Sequence, residues 1–127
     1  MTLRRLSTVG LVALWIASYV VTHLPAEKIP DLHASDKTLH VIGYFVLAAA
    51  WLIRGRIHSH PWRRRATWAV LIFPLYALFD ETTQPLVNRF FGWGDILADL
   101  IGLSLAVALD GVLAALFRPS AMRPSDS

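Results

Sequence analysis

Apolar residues fall along the chain in four blocks separated by short polar intervals. The first, LSTVGLVALWIASYVVTHL, covers residues 6–24, and its 19 residues reach about 28 Å as a helix, close to the thickness of a hydrocarbon core. The second is TLHVIGYFVLAAAWLI (38–53), the third ATWAVLIFPLYALF (66–79) and the fourth ILADLIGLSLAVALDGVLAALF (96–117). A bundle of four helices fits these runs, since helices satisfy their own backbone groups in lipid. The pattern predicts an all-α fold: a four-helix transmembrane bundle in one domain (residues 1–118) with spans at about 6–24, 37–54, 65–84 and 95–117. A short polar, proline-containing tail (119–127) is expected to be disordered. The first block follows Met-Thr-Leu-Arg-Arg. It is longer than the apolar region of a secretory signal and THLPAEK offers no small-x-small cleavage site, so it reads as a retained span. Pro74 is expected to kink the third helix.

Composition agrees with a bilayer as the solvent. The 127 residues are 55% hydrophobic and 17% charged, with a mean hydropathy of +0.49, too oily for a soluble domain of this size. Cysteine is absent, which excludes disulfides and thiolate chemistry. The basic balance does not point to nucleic acid, because the arginines flank apolar blocks. Nine basic residues (Arg4, Arg5, Arg54, Arg56, Arg63, Arg64, Arg65, Arg118, Arg123) lie at one end of the predicted bundle and three (Lys28, Lys37, Arg89) at the other. The positive-inside rule then predicts both termini and the RGRIHSHPWRRR loop to be cytoplasmic. Trp51, Trp62 and Trp68 are expected at the inner interface and Trp93 at the outer one.

The third block holds only 14 residues, about 21 Å of helix. Spanning the bilayer draws Asp80, Glu81 and Gln84 below the outer surface. By the same reasoning the second helix borrows Asp36 and Lys37 and contains His40, and Asp95 and Asp99 enter the fourth. Asp36, His40 and Tyr44 recur every four residues, on one helical face. Asp80 and Gln84 share a face, as do Asp95 and Asp99. A carboxylate at mid-bilayer costs about 2.5–3.5 kcal/mol, so these groups are expected to converge in one recess near the outer surface, with Lys37 and Arg89 as counter-charges. The simpler explanation for Asp36 and Asp95 is that an acid suits a helix N-terminus. Asp110 is expected to contact inner arginines, His58 and His60 to be solvated, and Gly102 and Ser104 to permit a close helix contact.

Three of these stretches carry a resemblance. SDKTLHVIGYFVLA (35–48), ALFDETTQ (77–84) and RFFGWGDILADLIG (89–102) resemble, in order, the D-K-x-x-H-x-x-x-Y, D-E-x-x-Q and R…D-x-x-x-N-x-x-G elements of VanZ-like membrane proteins. The likeness extends over about residues 11–115, with Asp99 where the family usually has asparagine. The resemblance implies a multi-pass protein of the bacterial cytoplasmic (inner) membrane and, through the family's namesake, low-level teicoplanin-type glycopeptide resistance. It implies a shared polar set of Asp36, Lys37, His40, Tyr44, Asp80, Glu81, Gln84, Arg89, Asp95, Asp99 and Gly102. The preferred function is binding of a lipid or lipoglycopeptide head group at the outer leaflet, the partner being a membrane lipid or lipid-linked cell-wall precursor, with a homo-oligomer left open. One alternative is a membrane enzyme acting on a lipid-linked substrate, with His40 and Asp80 or Glu81 as acid and base. A divalent metal among His40, Glu81, Asp95 and Asp99 belongs to that alternative, but no metal-binding spacing occurs and no metal or cofactor is expected. The other alternative is a structural or assembly module.

Overall fold

The computed structural model describes residues 1–25, 28 and 35–117. Among the described residues four α-helices follow one another: α1 (Leu3–Thr22), α2 (Asp36–Ile57), α3 (Trp62–Thr83) and α4 (Trp93–Leu116), with a 3-10 turn (Gln84–Val87) after α3. No strand occurs among the described residues. α2 and α3 outrun their apolar blocks at both ends, and α1 and α4 begin three residues before theirs, because polar flanks satisfy the helix ends. Thr2 caps α1 by accepting from Arg5 N, and Ser35 caps α2 by accepting from Thr38 N, meeting donors that a helix N-terminus leaves unpaired. The arginine-rich interval therefore shrinks to residues 58–61, since α2 carries Arg54 and Arg56 and α3 carries Arg63 to Arg65. The predicted tail (119–127), with Arg118, lies outside the described residues.

α2 is the hub. It packs most extensively on α4 and also on α1 and α3. Gly102 makes the α2–α4 contact close: a Cβ there would overlap the Val41 carbonyl oxygen and lie 2.9 Å from Phe45 N. An apolar core of Leu11, Tyr44, Leu47, Leu52, Phe73, Ala77, Leu103 and Ala106 runs through the middle. Trp15 and Trp51 pack edge-on at 6.4 Å, and Trp51 also meets Phe73. Its indole nitrogen donates to the Arg65 carbonyl at 3.1 Å. Trp51 thus faces the bundle interior rather than the interface, while Trp62, Trp68 and Trp93 are exposed.

The surface of the molecule is oily and much of the interior is polar. Val9, Val12, Ile16 and Val20 on α1, Ile42, Val46 and Ile53 on α2, and Leu97, Ile101, Leu105 and Leu109 on α4 all point outward. By contrast, Asp80, Glu81 and Asp99 have no exposed surface. Burial of this kind in water would reverse the usual preference; in lipid it is the arrangement that satisfies both sets of groups. By length and composition α1, α2 and α4 can each cross a membrane. α3 is equally long, but Arg63, Arg64, Arg65, Asp80 and Glu81 dilute its composition, and it is not among the three. α3 is a continuous helix through Pro74.

Candidate functional site

Polar side chains gather at two ends of the bundle. At the arginine-rich end, Asp110 of α4 accepts from Arg65 Nε and from Arg56, each at 2.7 Å, and Arg65 also donates to the His60 carbonyl at 2.9 Å. Gly55 lets the Arg65 stem lie against α2, because a Cβ there would sit 2.9 Å from Arg65 Cβ. His58 is partly exposed, with Nε2 3.4 Å from Thr8 Oγ1 and 3.3 Å from the Arg4 carbonyl.

The opposite end holds the sequence-predicted set. Asp36 and Asp95 sit in the first turns of α2 and α4, where the helix dipole favours an acid. One turn further in, His40 meets Asp99 across the α2–α4 contact, Nδ1 to Oδ1 at 2.8 Å. The imidazole partner is therefore Asp99, not Asp80 or Glu81. Glu81 accepts from Gln84 Nε2 at 3.0 Å and, with its other oxygen, from the Gly92 N–H at 2.9 Å. It thereby ties the end of α3 to the start of α4. Asp80 turns the other way and accepts from Thr22 Oγ1 at 2.8 Å. His40 is the junction: one ligand atom from each of His40, Glu81 and Asp99 lies within 4.8 Å of the others, and so it is for Asp36, His40 and Asp95.

The two predicted counter-charges stay on the rim. Arg89 reaches Asp36 at 3.4 Å, and Lys37 is exposed, its stem beside Gly94. Among the described residues, the hydrogen bonds and ion pairs of Asp80, Glu81 and Asp99 include no lysine or arginine. Among the described residues, four buried polar atoms lack a hydrogen-bond partner: Tyr44 OH, Tyr76 OH, Asp80 Oδ2 and Asp99 Oδ2.

The contribution of α1 escaped the sequence reading. Thr22 bonds Asp80, and His23 places Nε2 2.8 Å from Thr83 Oγ1 and Nδ1 3.7 Å from Asp80. The signal was the polar pair Thr22–His23 closing an otherwise apolar block. Thr22→Val keeps the shape and removes the donor, leaving Asp80 with less compensation for its burial. The expected loss is about 1–3 kcal/mol of stability, read as a lower unfolding midpoint in detergent.

A groove of about 350 Å³ opens between α1 and α2. Leu14, Ala17, Val21, Leu39, Val46 and Leu47 line its length, and Thr22, Asp36, His40 and Arg89 line its polar part. Its apolar walls adjoin a cation, an imidazole and a carboxylate.

Comparison with family models, with curated proteins and with solved structures finds no match to this chain.

Proposed function

We propose that the chain is a VanZ-like integral membrane protein of the bacterial inner membrane, a four-span bundle with cytoplasmic termini that binds a lipid or lipoglycopeptide head group at the outer leaflet. The observation that carries this reading is the α1–α2 groove, whose apolar walls lead to Arg89, His40 and Asp36. An acyl chain would lie against the apolar walls. The guanidinium of Arg89 offers parallel donors to a phosphate, which a point charge cannot match. Lys37 adds a second cation at the mouth. α3 counts as the fourth span because its ionisable groups Arg65, Asp80 and Glu81 are buried, while Trp68, Val70, Leu71, Leu75, Leu78 and Phe79 form its exposed face. Orientation follows from the arginine-rich end, which the positive-inside rule assigns to the cytoplasm.

Arg89→Ala and Lys37→Ala test the reading in vesicles containing a polyprenyl phosphate and, in cells, by teicoplanin susceptibility. Each loses a charge-assisted contact of about 1.5–3 kcal/mol, so lipid affinity is expected to fall roughly tenfold or more. Wild-type affinity together with unchanged susceptibility in both variants discards the proposal.

A second reading rests on the His40–Asp99 pair. A carboxylate on Nδ1 orients an imidazole for proton transfer, and His40 lines the groove where a head group would lie. Hydrolysis of the vesicle lipid by the wild type and not by His40→Gln would favour this enzymatic reading over simple binding.

A further inference from the structure

We propose that the buried cluster of His40, Glu81 and Asp99 is a binding site for one divalent metal ion, Zn²⁺ or Mn²⁺. The site stands independently of the lipid reading, although His40 lies at the border of both.

The first support is geometric. The three ligand atoms come from three helices and lie within 4.8 Å of one another. An ion about 2.1 Å from each ligand needs them no more than ~4.2 Å apart, so small rotations about the side-chain torsions complete the set. The second support is an unsatisfied group. Asp99 has no exposed surface, its Oδ1 is engaged by His40, and its Oδ2 has no partner. A buried carboxylate oxygen left so is costly, and an ion in the cluster satisfies it. The third is charge: Asp80, Glu81 and Asp99 are all fully buried and bonded to no lysine or arginine among the described residues. A dication offsets most of that concentration.

The donor set selects the ion. One imidazole nitrogen with two carboxylates suits Zn²⁺ or Mn²⁺, whereas Ca²⁺ and Mg²⁺ favour oxygen alone. Second contacts already orient one ligand: Gln84 and the Gly92 N–H each bond an oxygen of Glu81, as in tuned metal sites. Three protein ligands leave a coordination position open for water or for an anionic head group. The neighbouring group Asp36–His40–Asp95 is the weaker candidate, because Asp36 is exposed and engaged by Arg89.

The test is metal binding by the full chain, purified in detergent without an affinity tag and stripped with a chelator. Equilibrium dialysis against Zn²⁺ and Mn²⁺, followed by elemental analysis, is expected to give one ion per chain. Glu81→Gln and Asp99→Asn are expected to weaken binding at least tenfold, and Asp36→Asn to leave it unchanged. Loss in Asp36→Asn with retention in Asp99→Asn moves the ion to the mouth and overturns the proposal. Failure of the wild type to bind at micromolar metal also overturns it. Because Asp99→Asn could lose its fold, X-ray absorption on the zinc-loaded wild type gives an independent reading. A first shell of nitrogen and oxygen at about 2.0–2.2 Å with imidazole scattering supports the site, and a shell without imidazole refutes it.

Discussion

Asp110→Ala is expected to destabilise the bundle by about 3–5 kcal/mol, the usual consequence of removing one partner from a buried ion pair. Arg65 is the reason. Its side chain is only 6% exposed, and Asp110 accepts from its Nε at 2.7 Å and from its terminal nitrogen at 3.3 Å. Without the carboxylate, the guanidinium keeps one carbonyl partner, His60 O, and an uncompensated charge in an apolar setting. Arg56 matters less, because its side chain is 38% exposed and solvent can take over. Unfolding in mixed detergent, followed by circular dichroism, measures the loss. The double variant Arg65→Met/Asp110→Leu separates the stranded charge from lost packing: replacing both partners with apolar groups is expected to restore most of the stability. A single-variant loss below ~1 kcal/mol, within the range of exposed pairs, or no recovery in the double, would show that the pair is not the lock between α2, α3 and α4.

The sequence made some of this visible and hid the rest for physical reasons. The four helices were legible because each apolar block is long, and because the acids at their ends could not be left in lipid. That a polar recess forms from α2, α3 and α4 followed from the spacing of Asp36, His40 and Tyr44 and of Asp80 and Gln84. Which residue pairs with which was not legible. His40 could have met Asp80, Glu81 or Asp99, and the choice falls to the register between α2 and α4, a tertiary quantity without periodic signature. The participation of α1 was hidden because Thr22 and His23 follow an apolar run that explains itself as a span. Trp51 was misplaced for a related reason: an indole near arginines reads as an interfacial anchor, yet the Arg65 carbonyl gives its N–H an internal partner. α3 shows the reverse problem. Its composition conceals its oily outer face, because three of the charges that dilute it, Arg65, Asp80 and Glu81, are turned inward, while Arg63 and Arg64 stay exposed in its first turn.

Gly102 is where fold and site depend on one atom. Its backbone faces α2 so closely that an added Cβ would overlap the Val41 carbonyl oxygen, with Phe45 N at 2.9 Å and Tyr44 Cβ at 3.1 Å. The first two are backbone atoms, so the helices themselves must separate. Gly102→Val is therefore expected to cost about 1–3 kcal/mol or more through overpacking at the most extensive interface in the bundle. The effect does not stop at stability. Val41 follows His40 in sequence, and Asp99 precedes Gly102 by about one helical turn, so the displaced helices are the pair that hold the 2.8 Å His40–Asp99 contact. A shift near 1 Å breaks that hydrogen bond and spreads the ligand atoms of the metal cluster. Gly102→Val should consequently lose Zn²⁺ or Mn²⁺ binding even where the helical spectrum is retained, whereas Thr22→Val, on the Asp80 side, should weaken the fold with little change in metal affinity. Gly102→Ala should fall between wild type and valine in both readouts. Equal metal affinity across the glycine, alanine and valine forms would mean that the α2–α4 spacing does not set the geometry of His40 and Asp99.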